Sequence, residues 1–148
     1  MKSDSIQLLR SATSILLVDW PNPGVPRALL AAGFTVYGFS PGGYSIAQIV
    51  PDKPADRNSF SPCNSGEEGY LIFQKTENSP QGVDIINIYR PEEEHAAIIE
   101  KHALPLTAKA VWLHPPVTSA LTRIIAAENG LAFIEGINIV DAANTMKK

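Results

Sequence analysis

Short, continuous apolar runs alternate along this chain with stretches whose apolar residues recur at helical spacing. Ser14 to Asp19 (SILLVD) is apolar on successive positions and stops at a carboxylate. Phe34 to Phe39 (FTVYGF), Val83 to Tyr89 (VDIINIY), Ala110 to Leu113 (AVWL) and Leu131 to Ile134 (LAFI) repeat the pattern. Runs of this length, rich in β-branched and aromatic residues, predict strands covered on both faces, as parallel strands are. The intervals predict helices. Asp4 to Ala12 can place Ile6 and Leu9 on one side, with Asp4 and Gln7 at capping-box spacing, and would cover a sheet edge or face. Pro26 suits the first turn of a helix over Arg27 to Ala32, and Gly33 the left-handed residue that closes it. Pro91 opens another, its first turn filled by Glu92, Glu93 and Glu94 facing the positive end of the helix dipole. Val117, Leu121, Ile124 and Ile125 lie at i, i+4, i+7 and i+8, which predicts an inward stripe ending at Asn129-Gly130.

Strand and helix in this alternation predict an α/β, Rossmann-like three-layer domain with a mainly parallel sheet of about five strands and right-handed crossovers. One domain over 1–148 accounts for the length. An irregular insert around 44–82 interrupts it: Pro, Ser, Asn, Gly and charged residues dominate from Pro51 to Gly69, with one short strand at Tyr70 to Phe73. Ile137 to Val140 would extend the apolar edge, and Asn144 to Lys148 should fray.

Charge narrows the function classes. A net charge of −3 with 18% charged residues leaves no basic stripe for nucleic acid or an anionic membrane. No apolar run approaches the roughly 20 residues of a membrane span. The first residues, MKSDSIQLLRSATS, lack the apolar centre of an export signal, and the single Cys63 forms no internal disulfide, so a cytoplasmic location is expected. Cys63 also has no histidine near it in sequence, and no Cys/His cluster points to a metal.

In a doubly wound sheet, ligands meet the loops at the carboxyl ends of the strands. Those loops are Trp20 to Val25, Ser40 to Gly43, Tyr89 to Pro91 and His114 to Pro116. No G-x-G-x-x-G follows the first strand, and no Gly-x-Ser-x-Gly elbow occurs. Gly24 would allow close backbone approach. Arg90 reads two ways, as a phosphate grip or as a surface arginine paired with the acidic run Glu92 to Glu94. His114 reads as a ligand contact or base, or as a structural residue. His95 and His102, seven apart, do not form a metal site. Asp19 with His114 is the one acid/base pair on this edge, and nothing in the sequence orients it, so binding is favoured over catalysis.

The order of SILLVD, GFTVYGFSP, VDIINIYRPEE, AVWLHPPV and ENGLAFIEG, after an N-terminal helix, resembles the small Rossmann-like CoA-binding proteins, which are similar to the CoA-binding domain of the succinyl-CoA synthetase α subunit. About 110 of the 148 residues take part. The motifs are Ser40-Pro41, Val83-Asp84 leading to Tyr89-Arg90, and Trp112-Leu113. The resemblance implies non-catalytic binding of CoA or a related adenine nucleotide at the carboxyl edge of the sheet, without a metal. Its contacts would be Trp20, Asn22, Gly24, Val25, Ser40, Pro41, Gly42, Tyr89, Arg90 and His114. Self-association into a homo-oligomer is also implied. The departures fall on the binding loops: Asp19-Trp20-Pro21 stands where the family has Gly-Ala-Ser, Gly42 replaces a basic residue, and His114-Pro115-Pro116 replaces a Gln-Leu-Gly-like stretch. Gly136-Ile137-Asn138 stands where Asp-Arg-Cys is usual. The alternative is a degenerate member whose crevice is filled by Trp20 and the prolines, acting as a protein-interaction or scaffold module.

Overall fold

Ser14–Val18 (β1) is the middle of the structure because four of its five residues are apolar and can be buried on both faces; Ile15, Leu16 and Leu17 have no exposed surface. A computed structural model of the chain describes residues 2–40, 43–50, 60–61, 70–76, 80 and 82–147. β1 pairs in parallel with Thr35–Ser40 (β2) on one side and Ile85–Ile88 (β6) on the other. Ala110–Leu113 (β7) and Ala132–Ile134 (β8) continue the parallel arrangement outward from β6. These five are the strands expected from the apolar runs.

The expected count of about five is nevertheless too low. Beyond β2 the sheet continues through Gly43–Val50 (β3), Tyr70–Lys75 (β5) and the two-residue Phe60–Ser61 (β4), all antiparallel, giving the order β4-β5-β3-β2-β1-β6-β7-β8. The insert around 44–82 is therefore not irregular over these strands, and β5 contains the short strand expected at Tyr70 to Phe73. Exposure masked β3: it is partly buried along most of its length, with only Ala47 fully buried, so no solid apolar run marked it. The loop expected to span Pro51 to Gly69, including Cys63, otherwise lies outside the described residues.

Side chains alternate between two cores. Ile15, Leu17, Val36, Ile85, Ala110 and Trp112 face helices α1 (Lys2–Ser11), α2 (Gly24–Ala31) and α5 (Ile139–Lys147), meeting Leu9, Val25, Leu29, Ile139 and Ala143. Leu16, Val18, Ile86, Ile88, Val111 and Leu113 face the other way, toward Ile98, Ile99, Ala103 and Ala126. That second layer is a helical segment made of a 3-10 turn (Glu92–Glu94), α3 (His95–Ile98) and a π turn (Ile99–Ala103), followed after β7 by α4 (Ala120–Glu128). The expected three layers are present.

Local expectations shift at several ends. α1 runs Lys2–Ser11, so Asp4 lies inside the helix and not at its start. Pro26 falls in the third position of α2, and Gly33 does take the left-handed conformation, φ +100°. α5 extends to Lys147 where fraying was expected, because Ile139, Ala142 and Ala143 pack against the first core. Trp112 anchors the approach to α5 by donating its indole N–H to the carbonyl of Ile137 (2.8 Å). The stripe predicted for α4 holds at Val117 and Ile125, which pack against the second core, and fails at its other two positions. Leu121 and Ile124 are more than half exposed, while Thr122 and Ala126 are buried, because hydrogen bonds draw Thr122 inward.

Candidate functional site

The chain leaves β1 toward β2 on one side, and β6 takes the place on the other, so the topological switch point lies between the ends of β1 and β6. A crevice belongs at such a point. Asp19 follows β1 and Arg90 follows β6. They meet there: Arg90 Nη1 donates to Asp19 Oδ2 at 3.0 Å.

Arg90 is also committed to its own helix. Its Nε donates to Glu94 Oε1 (3.0 Å) and its Nη2 to Glu94 Oε2 (2.7 Å), a fork on a carboxylate one helical turn ahead. Hydrogen bonds to Glu94 and then to Asp19 push the guanidinium pKa up, and the bond from Arg90 holds the Glu94 carboxyl below its usual range. Of the two readings of Arg90, the structure contains the pairing with the acidic run and adds Asp19 to it.

The backbone that carries Arg90 is held from below. His95 is fully buried; its Nε2 donates to the Arg90 carbonyl (2.8 Å) and its Nδ1 lies 2.7 Å from Thr122 Oγ1. Thr122 bonds Ser119, which caps α4 by accepting from the Thr122 N–H (3.0 Å) and donates to Glu92. This chain of polar groups ties the start of the helical segment to α4, so Arg90 sits on a rigid base.

The opposite wall is the loop after β1. Asp19 is left-handed (φ +66°), and its Oδ1 accepts from the Trp20 N–H (2.9 Å). Trp20 is partly buried and packs against the first core. Its ring stacks on Phe73 (centroids 4.9 Å apart, 22° between planes) and covers Gly38, where an added Cβ would come within 3.0 Å of the indole. Asn22 caps the loop internally: its side-chain oxygen accepts from Gly24 N–H (2.9 Å) and its carbonyl from Val25 N–H (3.2 Å). Pro26 has no N–H to offer. The first turn of α2 thus carries donors that are already used.

Two clefts border the Asp19–Arg90 pair. One, of about 430 Å³, is lined by Val18, Asp19, Trp20, Phe39, Arg90, Glu94 and Ile98. The other, of about 570 Å³, is lined by Asp19, Tyr89, Arg90, Pro91, Pro116, Val117 and Thr118. Each falls in the range of small-molecule sites. Behind the first, Phe39 packs on His102 (4.2 Å), whose Nδ1 lies 2.5 Å from the Tyr44 hydroxyl. Burial, and then Lys101, push the His102 pKa down, favouring the neutral ring that accepts from Tyr44.

Of the expected contact residues, the structure therefore brings together Trp20, Tyr89 and Arg90, with Asn22, Gly24 and Val25 in the neighbouring loop. Ser40 ends β2; Pro41 and Gly42 lie outside the described residues. His114 is buried, 3.5 Å from the Asn87 amide and edge-on to Tyr89, and burial pushes its pKa down. Glu94 is the member of the expected acidic run that pairs with Arg90, whereas Phe39 and Ile98 carry only a core signal in the sequence. Among the described residues no group of His, Cys, Asp and Glu could hold a metal, and no helix is long and apolar enough to cross a membrane.

A family model described as a CoA binding domain matches residues 19–141. The chain belongs to this CoA-binding domain family. Solved structures repeat the fold of the CoA-binding domain at low identity. Prb, described as a protein redesigned for binding, is 16% identical with a TM-score of 0.67, covering 99% of this chain and 92% of that one. A cell-free protein from Thermus thermophilus is 15% identical with a TM-score of 0.66, covering 99% and 98%. A conserved hypothetical protein from Pyrococcus furiosus is 19% identical with a TM-score of 0.50, covering 87% and 97%. No curated protein matches the chain.

Whether this CoA-binding domain fits a CoA-type ligand divides by chemistry. The crevice has the place, the size and apolar walls for a base or an acyl-carrying arm. Its phosphate donors are another matter: Trp20 N–H and Arg90 face Asp19, and Gly24 N–H faces Asn22.

Proposed function

We propose that this protein binds CoA or a related adenine nucleotide, without catalysis, in the crevice between the ends of β1 and β6. The observation that carries this reading is the pair of clefts bordering Asp19 and Arg90 at the switch point of a CoA-binding domain. Trp20, Phe39 and Ile98 offer flat and aliphatic surface to a base, and Arg90 is the cation for the phosphates. Tyr89 and Val117 line the further cleft, where the remainder of an elongated ligand would lie. Asn22, Gly24 and Val25 complete the proposed contacts from the loop after β1.

A second reading, a degenerate member acting as a protein-interaction module, draws support from the internally satisfied loop Asp19–Val25. One experiment separates the two. Thermal unfolding is followed with CoA, acetyl-CoA, ATP and NAD. A ligand at 100 times its dissociation constant adds about 2.7 kcal/mol, a rise of about 5–10 °C for a chain of this size. A rise with CoA supports the first reading. No rise with any of the four at millimolar concentration supports the second.

A further inference from the structure

We infer that Asp19 is an internal anion: its carboxylate takes the donors that a ligand phosphate would use, and so sets how strongly the crevice accepts negative charge. The inference rests on the crevice reading above and adds to it the residue that decides its selectivity.

Asp19 is the first residue past β1, and its left-handed backbone is one that few non-glycine residues adopt, Asp and Asn being the usual exceptions. In that conformation each carboxylate oxygen meets a different donor, Oδ1 the Trp20 N–H at 2.9 Å and Oδ2 the Arg90 Nη1 at 3.0 Å. A backbone N–H beside a guanidinium is the donor set that binds phosphate oxygens elsewhere.

Charge makes the same point. Arg90 carries one positive charge and faces two carboxylates, Asp19 and Glu94, so the cleft edge is net negative. Removing Asp19 alone would make it neutral and free Nη1, while the Glu94 fork through Nε and Nη2 keeps the guanidinium in place. Asp19 is half-exposed, with 47% of its side chain accessible, so an incoming anion can displace it without opening the core.

The test uses inorganic pyrophosphate as probe and titrates it calorimetrically, at low ionic strength, into wild type, Asp19→Asn, Asp19→Gly and Asp19→Gly/Arg90→Ala. CoA is titrated in parallel. Asn keeps a left-handed turn and an acceptor for the Trp20 N–H, and serves where the glycine variant fails to fold. Both single variants should bind pyrophosphate about tenfold tighter than wild type or better, since a like charge a few ångströms from the anion is gone. The double variant should lose that gain. Single variants that bind no tighter than wild type overturn the inference. If wild type binds CoA and neither single variant gains for pyrophosphate, the internal anion is refuted and the crevice reading stands. A pyrophosphate gain with no CoA binding by any variant supports the internal anion and refutes the CoA reading.

Discussion

Two aspartates join β1 to β6 or to the residues around it, one at each end of the pair. At the amino edge Asp84 Oδ2 accepts from Thr13 N–H (2.7 Å), Thr13 Oγ1 (3.1 Å) and Ser14 N–H (3.2 Å), and Lys109 lies 3.7 Å from its other oxygen. At the carboxyl edge Asp19 takes one backbone N–H and Arg90, from a left-handed backbone. Asp84 has 20% of its side chain accessible, Asp19 47%. The first is a staple; the second holds donors at the mouth of a crevice. A carboxylate enclosed by donors of the framework contributes to stability, whereas one facing solvent across a guanidinium contributes little and is open to exchange.

The variants that test this contrast fall in order of expected effect. His95→Ala should cost most, about 3 kcal/mol by urea denaturation. It leaves the Arg90 carbonyl without its histidine donor, takes one of the two partners of the Thr122 hydroxyl, and opens a hole beneath α4. A near-neutral result would show that Arg90 is not held rigidly from below. Asp84→Ala should cost about 2 kcal/mol at pH 7, measured in the same way.

That second cost should depend on pH. Burial raises the Asp84 pKa, but the bonds from Thr13 and Ser14, with Lys109, outweigh it and bring the pKa below the usual aspartate value. A depressed folded-state pKa gives stability that is complete above the unfolded-state value, about 4, and is lost as the pH falls through the folded-state one. The gap between wild type and Asp84→Ala should therefore be constant above about pH 5 and narrow below about pH 4. A constant gap down to acid unfolding would mean that the carboxylate charge is irrelevant to the staple.

Gly38→Ala should cost about 1 kcal/mol, because its methyl group would meet Trp20 and Phe73 at 3.0 and 3.1 Å and must unseat their stack. Unchanged stability would show that the indole has room to shift without losing its packing. The smallest effect is expected for Asp19→Gly: under about 0.5 kcal/mol, with the lost ion pair offset by relief of a left-handed aspartate. A loss as large as that of Asp84→Ala would make Asp19 a second staple.

The parallel half of the fold was legible because each of its strands is buried on both faces and so spells itself out as an apolar run. The antiparallel half was legible only at β5, where Tyr70 to Phe73 is a short apolar run; β3 reads GYSIAQIV, with only Ala47 fully buried, and nothing in it distinguishes a strand from an apolar loop. α4 misled for the reverse reason, since its buried face is set by the bonds of Thr122 and its exposed face carries Leu121 and Ile124. At the site, the four loops were legible from topology and the Glu94 partner of Arg90 from local spacing. The Asp19–Arg90 pair joins residues 71 positions apart and exists only once β1 and β6 are neighbours. His95 shows the same limit: its partners are a backbone carbonyl and a threonine on another helix, and no sequence pattern records either.

The central claim is that the Asp19 edge, and not the Asp84 edge, receives the ligand. Amide chemical shifts followed by NMR during a CoA titration of the wild-type protein test it most directly. The account predicts saturable shifts at Trp20, Tyr89 and Arg90, including the Trp20 indole, with Thr13, Ser14, Asp84 and Lys109 unmoved. Shifts centred on Thr13 and Asp84, or none at millimolar CoA, would contradict it.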